Sequence, residues 1–473
     1  NGPAADVMIL MARTPDKIVN GKAKRQISAF VFETKDAEGY YVVHNCEFMG
    51  IRGIENGLLR FRDVKIPAEN IIGKTGDGLK IALVTLVNGR LSIPATSGAG
   101  GKSALAYSSQ WAAQREQWGA PIGKHQNSSI KIANFAANTM ASEAITWLCC
   151  GFADDGNVDI RIEAAMAKYF CTEVAWKMAD DFLQIRGGRG FETAESLAKR
   201  GEDPIPAEKF LRDCRIARIV EGTSEIMKLY IAREAMDTHV KQIMPLMMPG
   251  TNKMQHILKK FIPFYATWLP KQYMPAQSSF KVQNLDSTNQ RHLAFIAKHS
   301  KRLARTMFFS MAKYQQRLER EQLIMSNFVD IGTDLFAMAA ILSYTDGHLG
   351  QVDAGDKQAL QELCDLFCSD ARGRITDNFK AVKKNHNKKY SAIAKHAMAN
   401  KYEWLCEGTY KGISPGYLKF MNQSLDAHNA KHNDNVTASV PGVKITTSDI
   451  KPKTQAPAPA VAVPEEALET VVK

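Results

Sequence analysis

Arg212-Asp213-Cys214-Arg215-Ile216-Ala217-Arg218-Ile219-Val220-Glu221-Gly222-Thr223-Ser224-Glu225-Ile226 is the most informative stretch of this chain. A basic, helix-like segment runs into an apolar pair, Ile219-Val220, and then into a lone acid and a glycine. An acid between an apolar wall and a flexible Gly can be desolvated, which suits a general base. Gly222 lets backbone approach a ligand closely. Thr223 or Ser224 then caps a new helix, whose free N–H groups can hold an anion. The same residues also read as a plain helix end, a Gly turn and the next helix's cap.

Outward from that turn, residues from Gly78 to about Val240 have helical periodicity. The spacing predicts helices over Leu79–Asn88, Ser103–Trp118, Ile130–Phe152 and Ile162–Ile185, and another from about Ser224. Two Gly-rich turns punctuate them, Gly119-Ala-Pro-Ile-Gly123 and Gln184-Ile185-Arg186-Gly187-Gly188-Arg189-Gly190. The second follows a helix and lacks GxGxxG spacing, so it is no Rossmann fingerprint; it reads as a helix C-cap or as a place where a dinucleotide meets backbone. Asn88-Gly89-Arg90 and Arg115-Glu-Gln-Trp118-Gly119 put arginines where each could clamp a phosphate or sit as an exposed charge.

Before Gly78 the pattern is β. Val7–Ala12 reads as a buried strand, followed by Ile27–Glu33, Tyr40–Cys46 and Leu58–Ile66, the last with one wet face and a bulge. After it, residues 241–285 are rich in Met, Pro and aromatics. Helical patterns return over 286–430, notably Arg291–Arg320 and Leu323–Tyr344. The tail from 431 to 473 has the composition of a disordered segment. The fold class is thus α+β and mostly α. A partial, barrel-like β-sheet domain (1–75) precedes a four-helix bundle (76–240), a linker (241–285) and a second C-terminal helical domain (286–430).

The 473 residues exceed one ordinary core. The formal net charge of +12 favours anionic partners. No zinc finger, RNA-recognition signature or dominant Lys/Arg block is present, which sets nucleic acid aside. Charge-free runs reach only about 11 residues, so no transmembrane helix is expected. The eight cysteines form no CxxC pair and read as core thiols, with no metal centre expected.

Taken in order, Met49-Gly-Ile-Arg-Gly53, Phe61-Arg-Asp-Val-Lys-Ile-Pro67, Gly78-Leu-Lys80, Asn88-Gly-Arg90, Arg115-Glu-Gln-Trp-Gly119, Gln184-Ile-Arg-Gly-Gly188 and Leu211-Arg-Asp213 to Glu221-Gly-Thr223 resemble the acyl-CoA dehydrogenase family. The resemblance covers about residues 1–240. The helices after 280 are similar to the very-long-chain branch. The resemblance implies FAD as cofactor, acyl-CoA as substrate and an electron-transfer flavoprotein as acceptor. It also implies a homodimer, with a bacterial cytoplasm or mitochondrial matrix setting. Glu221 matches the base that removes the α-proton of the thioester. Some members carry that base on the earlier helix, where this chain has Gly89. Gly222 matches a residue bordering the thioester, and Val87, Asn88, Gly89 and Arg90 match a substrate-side helix segment. Arg115 matches a flavin-pyrophosphate ligand. Gln184, Ile185, Arg186, Gly187 and Gly188 match a segment reaching the neighbouring subunit's flavin. Thr223, Ser224 and Glu225 match the stretch contacting FAD after the base.

Ile54-Glu55 and a polar insertion near Ala198–Ala207 depart from the family pattern. Asn1-Gly2 aligns inside the family's sheet domain. The resemblance therefore implies that part of that domain and an N-terminal helical domain are absent, and that the chain as given binds flavin poorly and is inactive alone. An acyl-CoA oxidase, or a non-catalytic protein of respiratory-complex assembly, are the rival readings. Residues 253–269 place Met254, Ile257, Leu258, Phe261, Phe264, Tyr265 and Trp268 at helical spacing beside lysines. That stretch is either a membrane-docking surface or a packed inter-domain helix, which Pro263 would interrupt.

Overall fold

The structure is a computed structural model that describes residues 1–19, 21–247, 252–275 and 283–407, with two short strands at Ser439–Val440 and Val443–Lys444. The side chains of Val87 and Asn88 lie outside the described residues, as does most of the expected disordered tail.

Five strands come first: β1 (Val7–Val19), β2 (Lys22–Glu33), β3 (Tyr40–Asn45), β4 (Gly57–Phe61) and β5 (Ile71–Ile72). They form two antiparallel sheets, β1-β2-β5 and β3-β4. Leu10 pairs with Phe30, and the β1–β2 register shifts between Thr14 and Lys17. Phe32, Tyr40 and Phe61 interlock with ring centres 5.3–5.6 Å apart and join the sheets. The expectation that Val7–Ala12 is buried is corrected. The strand is covered on one face only, and Val7 and Ile9 are each 55% exposed on the other. The expected strand Leu58–Ile66 stops at Phe61, where Asp63 takes a positive φ of 50° and breaks the ladder.

The helical part opens with α1 (Gly78–Gln114), a single 37-residue helix running through Pro94. Sequence breakers predicted two helices here. Its glycines instead permit close packing: a Cβ on Gly101 would lie 2.5 Å from Thr139 Oγ1. A small hairpin follows, β6 (Glu116–Gln117) with β7 (Ala120–Pro121). Next come α2 (Gln126–Asp155), α3 (Arg161–Arg186), the short α4 (Gly188–Phe191), α5 (Ala194–Lys199) and α6 (Ala207–Cys214). After a 3-10 turn at Arg215–Arg218, α7 spans Ser224–Met247.

The expected linker is largely helical. α8 (Lys253–His256), a π-helical turn at Ile257–Phe261 and α9 (Ile262–Lys271) follow one another without a break. Pro263 does not interrupt the path because it falls in the first turn of α9, where its missing N–H costs little. Phe264, Tyr265 and Trp268 pack around buried His239 with Phe308. Tyr265 Oη lies 3.0 Å from His239 Nδ1.

The last long helices are α10 (Ser287–Tyr314), α11 (Gln322–Leu349), α12 (Ala354–Lys383) and α13 (Asn387–Met398). Ile331, Leu335, Met338 and Ile341 of α11 share one core with Ala137, Ala141 and Ile145 of α2, Phe170 of α3 and Phe367 of α12. Burial of each of the larger side chains among these is worth about 1.5–3 kcal/mol. The first compact unit runs from Asn1 to Asn385 and holds both the bundle and α10 to α12. The second unit begins at His386 and contains α13. By length and composition alone, α11 is apolar enough to cross a membrane, unlike the expectation from short charge-free runs. Its most apolar stretch is 67% buried within the protein, as suits a core helix.

Candidate functional site

Glu221 and Gly222 both have positive φ, 54° and 100°, in the turn between the 3-10 segment and α7. Only glycine adopts that region at little cost, so Glu221 holds local strain of about 1–3 kcal/mol. A Cβ on Gly222 would meet Met227 Sδ at 2.7 Å. The turn aims the Glu221 carboxylate at α1, where a Cβ on Gly89 would lie 2.5 Å from each carboxylate oxygen. Glu221 Oε2 is buried without a hydrogen-bond partner among the described residues. Ile219 and Val220, expected as an apolar wall, are 46% and 40% exposed; the acid is covered by α1 instead.

α3 fastens the turn at two places. Lys168 Nζ donates to the Gly222 carbonyl at 2.7 Å. Glu173 accepts from the Ser224 hydroxyl and, at 2.8 Å, from Arg218 Nε. Thr223 caps α7: its Oγ1 accepts from Ile226 N at 3.4 Å. Ser224 is buried, and its hydroxyl points into the protein toward Glu173. Glu225 is exposed; its own backbone N–H and the Thr223 hydroxyl hold its carboxyl below the usual range. Arg90 is buried, with its guanidinium 4.8 Å from the Tyr230 ring and its Nε unpartnered.

Lys168 carries no exposed surface. Burial pulls its ammonium down to about 8, partly opposed by Glu221 and Glu173 and assisted by Arg90. The sequence reading missed this lysine. Its signal was present as the one charge within Ala164-Ala165-Met166-Ala167-Lys168-Tyr169-Phe170.

A second cluster surrounds Trp111. The ring lies 5.9, 4.8 and 5.8 Å from the guanidinium carbons of Arg115, Arg186 and Arg189. Its Nε1 donates to the Ile185 carbonyl at 3.1 Å, tying the end of α1 to the end of α3. α3 stops at Gly187, whose φ of 61° forms the C-cap. Gln184, Gly187 and Gly188 are exposed, and a Cβ on either glycine would meet no atom within 4 Å. Arg186 is buried with Nε unpartnered, and burial lowers its guanidinium from its ordinary value. Three guanidiniums around one ring, one with an unused buried donor, make a site that suits an anion. Glu202, from the polar insertion, pairs with Arg189 at 2.5 and 3.0 Å and closes one side.

A cavity of about 620 Å³ lies among α2, α3, α11 and α12 and reaches Glu173 of the first cluster. Asp334 and Asp330 in its lining are tied in internal pairs with Arg374 and Lys228.

Residues 76–236 match the family described as Acyl-CoA dehydrogenase, C-terminal domain. Residues 289–402 match ACAD9/ACADV, C-terminal domain. The chain is 41% identical over 410 residues to a probable acyl-CoA dehydrogenase FadE10 of Mycobacterium tuberculosis, covering 86% of this chain and 62% of that protein. It is 29% identical over 388 residues to the very long-chain specific acyl-CoA dehydrogenase, mitochondrial, of Mus musculus, covering 81% and 56%. The chain thus spans less than two thirds of the length of these curated relatives. A crystal structure of an acyl-CoA dehydrogenase complexed with FAD from Bacillus anthracis shares the fold with a TM-score of 0.62. At 24% identity it covers 90% of this chain and 69% of that one. The bundle, the later helices and the ordered motifs together place this chain in the acyl-CoA dehydrogenase family.

Proposed function

We propose that the protein containing this chain is an FAD-dependent acyl-CoA dehydrogenase that introduces a trans-2 double bond into long-chain acyl-CoA during fatty acid β-oxidation. Glu221 is its base. The observation that carries this reading is the Glu221 carboxylate lying over Gly89, with its Oε2 buried and unpartnered among the described residues.

An α C–H beside a thioester is a weak acid, and taking its proton needs a positioned base with little competition for its lone pairs. The free Oε2 meets that need, and Gly89, having no side chain, lets the carboxylate lie directly against α1. Backbone N–H groups at the start of α7, beginning with that of Glu221, suit a developing enolate oxygen. The bound FAD supplies the hydride acceptor. Arg115, Arg186 and the exposed backbone of Gly187 and Gly188 are the residues that would hold its phosphates, and the unused Arg186 Nε fits that task.

Lys168 and Arg186 are 18 residues apart on α3, about 27 Å at 1.5 Å per residue. That separation suits two flavins, one met at the base and another at the arginines, as in a homodimer. An electron-transfer flavoprotein is the proposed acceptor. Membrane docking is assigned to the stripe Met254, Leu258 and Ile262, which are 65%, 59% and 50% exposed. Lys259 and Lys260 lie beside it, while the aromatic residues face His239.

The deciding experiment is Glu221→Gln in the complete, flavin-loaded protein. Turnover of a long-chain acyl-CoA is expected to fall by about 10²–10⁴-fold with flavin and acyl-CoA binding retained. Near-normal turnover would remove the assignment.

A further inference from the structure

We propose that Lys168 is a positioning residue for Glu221. Its bond to the Gly222 carbonyl holds the turn that lays the carboxylate over Gly89, and its charge stands behind that carboxylate. The inference rests on the reading of Glu221 as base and adds a residue outside the turn on which that base depends.

Lysine is seldom fully buried, because burying an ammonium without compensation is costly. Lys168 is wholly buried in an alanine-rich face of α3. Its one hydrogen bond given by the structure goes to the carbonyl of the residue that follows the base. That carbonyl belongs to a turn with two consecutive positive-φ residues, the first of them not glycine. Such a turn persists only when its surroundings hold it. On the same helix, Glu173 holds the far side of the turn through Ser224 and Arg218. α3 thus grips Arg218 on one side of Glu221 and Gly222 and Ser224 on the other, leaving the Glu221 side chain as the projecting element between them.

The charged groups facing Lys168 are Glu221 from the turn, Glu173 from its own helix and Arg90 from α1. Arg90 lies over Tyr230 of α7, and Arg218 neutralises much of Glu173. Glu221 and Lys168 therefore feel each other's charge.

The test uses the complete flavoprotein with Lys168→Gln, which keeps a donor and removes the charge, and Lys168→Arg, which keeps the charge. Flavin per chain, KM and kcat are measured with a long-chain acyl-CoA. Lys168→Gln is expected to retain flavin and KM, while kcat falls at least about tenfold as the turn loosens. Lys168→Arg is expected to recover most of kcat. Unchanged kcat in folded Lys168→Gln would overturn the proposal. So would a folded, flavin-loaded Lys168→Arg that lost as much kcat as Lys168→Gln. If Lys168→Gln does not fold, Lys168→Arg decides by kcat at retained KM. Glu221→Gln, run alongside, separates this outcome from failure of the base reading: an active Glu221→Gln refutes the base whatever the Lys168 variants do.

Discussion

The Glu221 carboxylate occupies the space that a side chain at position 89 would need, with both oxygens 2.5 Å from a Cβ built on Gly89. Gly→Ala inside a helix ordinarily stabilises by about 1 kcal/mol. In Gly89→Ala the added methyl group meets the far end of a flexible acid, which can swing aside. Stability should therefore hold or rise slightly, while turnover falls by about tenfold or more through misplacement of the base. Thermal unfolding and kcat of the same flavin-loaded preparation check this. A variant that lost stability but kept kcat would contradict it.

Arg186 tests the arginine cluster. Lysine cannot reproduce both the stacking on Trp111 and a planar donor fork. Arg186→Lys should lower flavin per chain in the complete protein, and Arg186→Ala should lower it further. Absorbance at the flavin band against protein concentration is the readout, and full flavin loading of Arg186→Ala would remove Arg186 from the cofactor site.

Asp181 gives a pH prediction. Burial pushes its carboxyl up, but hydrogen bonds from Lys131 and Lys177 win and hold it below its usual 3.8. The unfolded chain therefore binds this proton first as pH falls, and the stabilisation, present above 3.8, is lost as pH drops through the lower folded value. Asp181→Asn should lower stability near neutrality and flatten acid destabilisation below about pH 4. Urea unfolding across that range measures the slope; an identical slope in both proteins would contradict the assignment.

The Arg374–Asp334 pair faces the cavity among α2, α3, α11 and α12, with contacts of 2.7 and 3.1 Å. Burial raises the Asp334 carboxyl, only partly offset by Arg374. Arg374→Met leaves a buried acid alone and should cost about 3 kcal/mol. Arg374→Met with Asp334→Leu should recover much of that loss, since an apolar pair needs no desolvation compensation. Denaturant midpoints of the two variants decide the point.

The stripe Met254, Leu258 and Ile262 is separable from the aromatic side of the same helices. Changing the three to Gln should leave stability within about 0.5 kcal/mol, as for exposed sites generally, while reducing flotation with anionic vesicles. Trp268→Ala should do the reverse, destabilising by about 2 kcal/mol or more through loss of packing on His239 and Phe308. Vesicle binding unchanged in the triple variant would end the docking assignment.

Much of this protein was written in its sequence. Helical periodicity located α2 and α3 to within a few residues, because a buried face repeats every three to four positions whatever lies against it. The motif around Glu221 and the Gly187 cap were legible because a Gly turn and a hydroxyl cap are local requirements. Tertiary structure decided the rest. Periodicity predicted separate helices over Leu79–Asn88 and Ser103–Trp118, yet α1 runs through both, and Gly89 and Gly101 within it admit Glu221 and Thr139 at close range. Val7 and Ile9 read as buried, but burial of a strand face depends on what covers it. α10 to α12 follow the bundle in sequence, and only the folded chain shows that their apolar faces complete the core of α2 and α3. Lys168 shows the limit most clearly. A lone charge on an apolar helix face can be recognised from sequence, but its partner, the carbonyl of Gly222, lies 54 residues away and exists as an acceptor only once the turn is folded against α3.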